Sequence, residues 1–105
     1  MHSTPNTDTA VHAGPRTVLA LTGALDMDTV PRVTAATDTL VLAGRTLVLD
    51  LSAVTFMDSS GLNTLLILRN RAEAEHGTLE LCGLPDQALR LLDITGARDL
   101  FTLTP

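Results

Sequence analysis

A short apolar run in the middle of the chain constrains the fold most strongly. Residues 46–51 read TLVLDL, which is nearly continuous in hydrophobicity and has the length of one strand. Strands with one solvated face alternate in polarity, whereas a continuous run is typical of a strand covered on both faces. The run therefore predicts a strand at the centre of a sheet.

The segments before this run predict a hairpin followed by a helix. Strand patterns at residues 9–12 and 17–22 flank a turn at residues 13–15. A second turn at residues 23–28 precedes a helix over residues 29–42, with Asp26 or Asp28 as its N-cap, Pro31 in its first turn and Gly44 as its stop.

The segments after the run continue the alternation of helices and strands. Residues 52–57 are predicted as a connection to a helix that ends at Gly77, with an apolar front half in the core and a charged back half in solvent. A strand over residues 78–82, a helix from Pro85 to about Ile94 closed by Gly96, and an edge strand at residues 100–103 follow. Because crossover helices join parallel strands, this order predicts an α/β domain whose mixed, largely parallel sheet has helices packed against it.

The length of 105 residues predicts one domain, with a flexible tail at residues 1–7 and a folded unit at residues 8–105. Hydrophobic residues make up 45% of the chain, but there is no Trp or Tyr and there are only two Phe, so the core is expected to be aliphatic.

The net charge is −5, and the seven basic residues are scattered arginines. Because nucleic-acid affinity depends on clustered basic side chains, direct binding to DNA or RNA is not expected.

Cysteine, histidine and hydropathy patterns bear on location and metal binding. A single cysteine, Cys82, cannot form an internal disulfide, indicates a reducing compartment, and is expected to pack as a small apolar core residue. His2, His12 and His76 are too dispersed to predict a metal site. The chain has no apolar signal region and no apolar stretch near 18 residues long, so a cytoplasmic location without membrane insertion is expected.

The segment FMDSSGLNTLL, at residues 56–66, holds the candidate site. Asp58, Ser59 and Ser60 are all favourable N-cap residues, so simple capping of a helix is one interpretation. Gly61 costs about 0.5 to 1 kcal/mol in a first helical turn relative to Ala. A bare helix start with exposed hydroxyls and this glycine also suggests that something approaches it closely.

The longer segment LVLDLSAVTFMDSSGLNTLL, at residues 47–66, resembles the signature of the anti-sigma factor antagonists in the STAS domain family. LTGALD at residues 21–26 is similar to the family's G-E-L-D turn, and LCGLPDQALRLLDITGARDLF resembles its later strand and helix. Two departures are expected to matter for partner binding: Ala24 stands where the family usually has an acidic residue, and the family's final helix would follow Pro105.

The resemblance implies a bacterial partner switch that is not an enzyme. The unphosphorylated protein would bind an anti-sigma factor and free a sigma factor. That anti-sigma factor would double as a serine kinase that phosphorylates Ser59, and a metal-dependent serine phosphatase would reset the switch. ATP and magnesium belong to the kinase, so no cofactor is expected for this chain. The implied partner-binding residues are Asp26, Asp58, Ser59, Ser60, Gly61 and Asn63.

Other interpretations stay open at this stage. The chain could be a STAS module of a stress-signalling scaffold or an accessory subunit of a membrane transporter, which need no phosphorylatable serine before Ser-Gly. A serine hydrolase is disfavoured because the sequence lacks a G-x-S-x-G elbow. Asp50 and Ser52 are expected to orient the following loop through backbone hydrogen bonds, with a partner-facing role as the alternative. Ser60 is expected to act as a cap or to position Ser59.

Overall fold

In a computed structural model of the protein, residues 10–105 are described, and they form a five-stranded sheet with three α-helices and one 3-10 helix. The predicted tail at residues 1–7 lies outside the described residues. The strands are β1 (Ala10–Ala13), β2 (Arg16–Leu25), β3 (Thr46–Met57), β4 (Thr78–Cys82) and β5 (Thr102–Thr104). The helices are α1 (Val30–Asp38), α2 (Ser59–Ala74) and α3 (Asp86–Thr95), followed by the 3-10 helix Arg98–Leu100.

The sheet has the strand order β1-β2-β3-β4-β5. β1 and β2 form the predicted antiparallel hairpin, and each later neighbouring pair of strands is parallel. The predicted α/β class and the central place of the apolar run, now in β3, are both confirmed. Each parallel step moves one strand along the sheet through a helical crossover, which is the arrangement expected for βαβ units.

One face of the sheet carries the hydrophobic core. Leu47, Leu49 and Leu51 on β3 are at most 1% exposed and pack in one cluster with side chains from the helices. On the opposite face of β3, Asp50 is only half-buried and Ser52 is exposed. The prediction that β3 is covered on both faces is therefore wrong for its second half. Within residues 10–105, the buried leucines of α2 and α3 pack on the face of the sheet that holds Leu47, Leu49 and Leu51.

β2 and β3 both extend further than their sequence patterns predict. β2 continues through Gly23, which has a φ of 78° and lies in a strand rather than a turn. The register shifts between Ala20 and Thr22 and between Gly23 and Ala24 each leave one extra residue in β3, so the bulges belong to β3. β3 includes residues 52–57, which were predicted as a connection. Leu51, Val54 and Met57 are buried at a spacing of three, so the segment lacks the period of two that identifies a strand.

α1 is shorter than predicted and begins without a side-chain cap. Its N-cap is Thr29, which makes no side-chain capping bond. Asp26 instead accepts hydrogen bonds in the preceding turn from the backbone N–H groups of Asp28 at 3.0 Å and Thr29 at 3.2 Å. The helix ends at Asp38, before the predicted stop at Gly44, which lies in the turn that precedes β3.

α2 stays in contact with the core as far as Ala72, which is fully buried. The prediction that the back half emerges into solvent is confirmed for Asn70, Glu73 and Ala74, which are exposed, and is wrong for Ala72. The left-handed conformation after the helix belongs to His76, with a φ of 60°, rather than to Gly77. Gly77 is needed for a different reason, because a Cβ there would lie 2.7 Å from the carbonyl oxygen of Arg45.

The last elements agree with their predicted types. α3 ends at Gly96, which has the left-handed φ of 74° expected for a helix stop. The predicted edge strand forms as β5, but it starts two residues later than expected because residues 98–100 form the 3-10 helix.

Arg71 joins α1 to α2. Its guanidinium donates to the carbonyl oxygens of Thr37 at 2.8 Å and Leu40 at 2.6 Å, and it pairs with Glu75 at 3.1 Å. The Thr37 carbonyl lies in the last turn of α1 and also accepts from the Leu40 N–H at 3.0 Å, and Leu40 follows the helix, so a cation from α2 binds both the end of α1 and the residues after it. This contact links the two helices in addition to the core packing of Val33 on α1.

We predict that Arg71→Met lowers the free energy of unfolding by about 2 kcal/mol, because hydrogen bonds to charged groups contribute about 1.5 to 3 kcal/mol. Arg69→Met is the matched control, because the Arg69 side chain is 28% exposed against 27% for Arg71, and it pairs with Glu73 on the same helix. An exposed i,i+4 pair contributes only about 0.3 to 0.5 kcal/mol. Urea unfolding followed by far-UV circular dichroism measures both, and equal losses would contradict the assignment.

Candidate functional site

The ends of β2 and β3 meet at the carboxyl edge of the sheet. Leu25 and Met57 are register partners, and the N–H of Asp58 donates to the carbonyl oxygen of Leu25 at 3.2 Å. The turn that holds Asp26 therefore lies beside the start of α2. The predicted partner-binding residues of these two segments, far apart in sequence, share one edge of the molecule.

Asp58 caps α2. Its backbone is extended, with a φ of −112° and a ψ of −171°, and its Oδ1 accepts from the N–H groups of Ser60 at 2.9 Å and Gly61 at 3.2 Å. The capping interpretation is thus confirmed for Asp58 and is wrong for Ser60, which lies inside the first turn. Ser59 is exposed. Because Asp58 already satisfies the two amides, the Ser59 hydroxyl is available to a reagent in solution.

Gly61 is buried against the end of β2. A Cβ at this position would lie 2.8 Å from the Cβ of Leu25 and even nearer to the Leu25 carbonyl oxygen. The close approach expected from the sequence is therefore made by Leu25 of the same chain. Glycine at this position lets the first turn of α2 rest directly on β2.

A groove of about 320 Å³ lies between α1 and α2, next to Ser59. Ser60 and Asn63 line one end of it, and Asn63 is exposed one helical turn after Ser59. Two large apolar side chains on its walls face solvent, Met27 at 74% and Ile67 at 58% exposure. Exposed apolar groups of this size beside polar ones are typical of a surface that binds another molecule. The remaining lining residues are Val30, Pro31, Thr34, Thr37, Asp38, Thr64, Leu68 and Arg71.

Asp50 and Cys82 lie on the half-exposed face of the sheet. Asp50 accepts from the N–H of Ser52 at 3.0 Å, which confirms the predicted backbone role. Cys82 is half-buried beside Asp50 rather than packed among the core leucines, so its predicted core position is wrong. Side chains alternate along β4, and Leu81 takes the core face. Burial, with Asp50 and Glu80 nearby, raises the pKa of the Cys82 thiol, which keeps it protonated and unreactive near neutral pH.

Within residues 10–105, His12 and His76 lie at the edge of the sheet opposite Ser59. His12 contacts Thr17 near the start of β2, and His76 comes just before β4, whereas Ser59 follows the end of β3. Neither imidazole is in place to activate the Ser59 hydroxyl. In the part of the chain that the structure describes, no cluster of three or more histidine, cysteine or carboxylate side chains could hold a metal ion.

Three residues of this region were missed by sequence reasoning. The sequence places Met27 in a turn and gives Ile67 no separate role, because hydropathy does not tell which apolar side chains stay exposed. Gln87 bonds to both backbone groups of Met57. No local pattern signals such a contact between residues 30 positions apart.

Hydropathy of the helices bears on membrane insertion. Among the helices of residues 10–105, none is both long and apolar enough to cross a membrane.

Comparisons with known proteins agree with this geometry. A family model described as "Mlab, STAS domain" matches residues 9–104. The anti-sigma-B factor antagonist of Listeria monocytogenes is 34% identical over 82 residues, which cover 77% of this chain and 72% of that protein. The crystal structure of an anti-sigma factor antagonist from Mycobacterium paratuberculosis has a TM-score of 0.79 at 29% identity, covering 99% of this chain and 91% of that one.

A third structure shares the fold at lower identity. The Bacillus cell fate determinant SpoIIAA in its phosphorylated form has a TM-score of 0.70 at 22% identity, covering 93% of this chain and 91% of that one. A likeness at this identity speaks for the fold alone. The family model spans nearly all of the described residues, and the Listeria relative agrees with it. The chain therefore belongs to the STAS domain family.

Proposed function

We propose that this protein is an anti-sigma factor antagonist whose binding is controlled by phosphorylation of Ser59. In the unphosphorylated state it binds an anti-sigma factor and thereby releases a sigma factor, and phosphorylation blocks that binding. The observation that carries the proposal is the exposed Ser59 hydroxyl, placed directly after an aspartate cap and beside an apolar groove. The names of the Listeria and Mycobacterium proteins, both antagonists, support it.

The surface proposed to bind the anti-sigma factor surrounds Ser59. It consists of the carboxyl-edge turn, the start of α2 and the groove. Exposed apolar side chains would be buried by the partner and the polar residues would form the rim, as in other protein interfaces. Gly61 contributes through packing, since its own surface is buried. The surface residues are Asp26, Met27, Asp58, Ser59, Ser60, Asn63 and Ile67.

Phosphorylation is proposed to act on docking and to leave the fold intact. A phosphate adds about −1.5 to −2 charges, which a helix N-terminus favours by up to about 1 kcal/mol when exposed. The carboxylate of Asp58 opposes it at short range and keeps its own bonds to Ser60 and Gly61. Since the two effects nearly offset, the main cost falls on a partner that must desolvate the dianion. The existence of a phosphorylated form of SpoIIAA, a protein of the same fold, supports this scheme.

The proposal implies two protein partners and a location. The anti-sigma factor is proposed to be the serine kinase, and a serine phosphatase to remove the phosphate. ATP and magnesium are used by the kinase, so this chain needs no cofactor for the switch. Because ATP is required, the cytoplasm is the proposed location.

We predict that the candidate kinase with ATP adds one phosphate to the wild type and none to Ser59→Ala, as measured by intact-protein and peptide mass spectrometry. The phosphorylated protein should bind the anti-sigma factor at least 100-fold more weakly, about 2.7 kcal/mol, because a buried dianion lacks a partner. Its far-UV circular dichroism should match that of the unmodified protein.

Ser60→Ala is the matched control for the site, since Ser60 is the adjacent hydroxyl and lies in the same helical turn. It should still acquire one phosphate, located on Ser59 by peptide mass spectrometry. Phosphate on the Ser59→Ala protein, or unchanged anti-sigma affinity after modification, would refute the proposed switch.

We predict that Ile67→Asp weakens anti-sigma binding by at least 30-fold, because it places a charge where an apolar side chain would be buried. Ile94→Asp is the control, because Ile94 is also a helical isoleucine exposed to solvent, at 76% against 58% for Ile67, but near the far end of α3. It should bind like the wild type in isothermal titration calorimetry. Equal losses for both variants would remove the groove from the docking surface.

A further inference from the structure

β3 extends beyond its neighbour β4. The two strands pair from Thr46 with Thr78 to Asp50 with Cys82, whereas β3 pairs with β2 as far as Met57 with Leu25. The last residues of β3 therefore have no strand on the β4 side. Buried backbone groups that lack a ladder partner must bond elsewhere, because each unpaired group costs about 1 to 3 kcal/mol.

Gln87 takes the place of the missing strand at Met57. Met57 is fully buried, and its N–H donates to Gln87 Oε1 at 2.8 Å. In return, Gln87 Nε2 donates to the Met57 carbonyl oxygen, also at 2.8 Å. A primary amide has an acceptor and donors on one short side chain, so it reproduces the paired bonds of a neighbouring strand.

The Met57–Asp58 peptide group is also held from the other side. The N–H of Asp58 bonds to Leu25 of β2 at 3.2 Å, and the Asp58 side chain then caps α2. Gln87, on α3, and Leu25, on β2, thus restrain two successive residues immediately before Ser59. Gln87 itself lies in the first turn of α3, so α3 is tied to the start of α2.

We propose that Gln87 is a positioning residue for Ser59. By fixing the Met57 peptide it keeps the Asp58 cap formed, and so presents the Ser59 hydroxyl in one conformation to the kinase and the anti-sigma factor. The proposal has two steps. The first step is the effect of Gln87 on the Asp58 cap, and it does not depend on the proposed function. The second step is the effect on phosphorylation and anti-sigma binding, and it rests on the proposed function.

The test of the first step is amide hydrogen exchange in the unmodified protein. Gln87→Met keeps the length of the side chain and removes both bonds, and Arg90→Met, an exposed position on the same helix, is the matched control. The amides of Ser60 and Gly61 report the cap directly, because both donate to Asp58. They should exchange at least tenfold faster in Gln87→Met and at the wild-type rate in Arg90→Met, after correction for intrinsic rates.

Gln87→Glu provides a second test that does not depend on the folding of the methionine variant. An ionised carboxylate accepts from the Met57 N–H but repels the Met57 carbonyl oxygen, whereas a protonated carboxyl accepts and donates like the amide. Protection of Ser60 and Gly61 should therefore be below the wild-type value at pH 7.5. It should approach the value of the wild type at the same pH as the pH falls to about 4, where a glutamate with the ordinary pKa of about 4.3 is mostly protonated. A purely stabilising role for Gln87 predicts no recovery confined to these two amides.

The test of the second step is kinetic. With proteins that are fully folded by circular dichroism, kcat/KM for phosphorylation of Ser59 and the affinity for the anti-sigma factor should both fall about tenfold in Gln87→Met and stay unchanged in Arg90→Met.

Unchanged exchange at Ser60 and Gly61 would overturn the positioning role. Faster exchange with unchanged kinetics would overturn its link to Ser59. Failure of the wild type to be phosphorylated or bound would instead refute the proposed function and leave the exchange result standing.

Discussion

The pairing of β2 with β3 is the constraint on which the rest of the structure depends. It runs from Arg16 with Thr46 to Leu25 with Met57 and holds the central strand of the sheet in register. A shift of one residue would turn the core leucines of β3 away from the helices and reverse both faces of the strand. The same shift would separate the turn at Asp26 from the start of α2. Core packing and the geometry of the site are therefore set by one ladder.

The start of α2 divides two tasks between adjacent residues. Asp58 satisfies the first amides of the helix, so Ser59 carries no structural duty and its hydroxyl stays exposed. A serine cap would instead commit its own hydroxyl to a backbone bond. The same arrangement explains why a charge on Ser59 would leave the helix formed, since the cap does not depend on the modified side chain. A switch that changes partner binding without unfolding the helix requires that the capping side chain and the phosphorylated side chain belong to different residues.

The sheet is covered unevenly, and this sets where a second molecule could bind. Buried leucines on one face hold α2 and α3, while Asp50, Ser52 and Cys82 lie on the other face with partial or full exposure. Arg71 links α1 to α2 and lines the groove between them, while Val33 of α1 packs in the hydrophobic core. The groove beside Ser59 is thus bounded by two helices that are joined by core packing and by a specific side-chain contact.

The sequence by itself determined the types of the elements, the central place of β3 and the position of the candidate serine, because hydrophobic periodicity and N-cap chemistry are local properties. The D-S-S-G motif behind an apolar strand was also enough to suggest the family. Only the tertiary structure decided where β3 ends, which residue Gly61 accommodates and what holds Met57. These depend on partners distant in the chain. The spacing of three at Leu51, Val54 and Met57 reflects the extra residues of β3 in its pairing with β2, and Gln87 meets Met57 only after α3 has packed on the sheet.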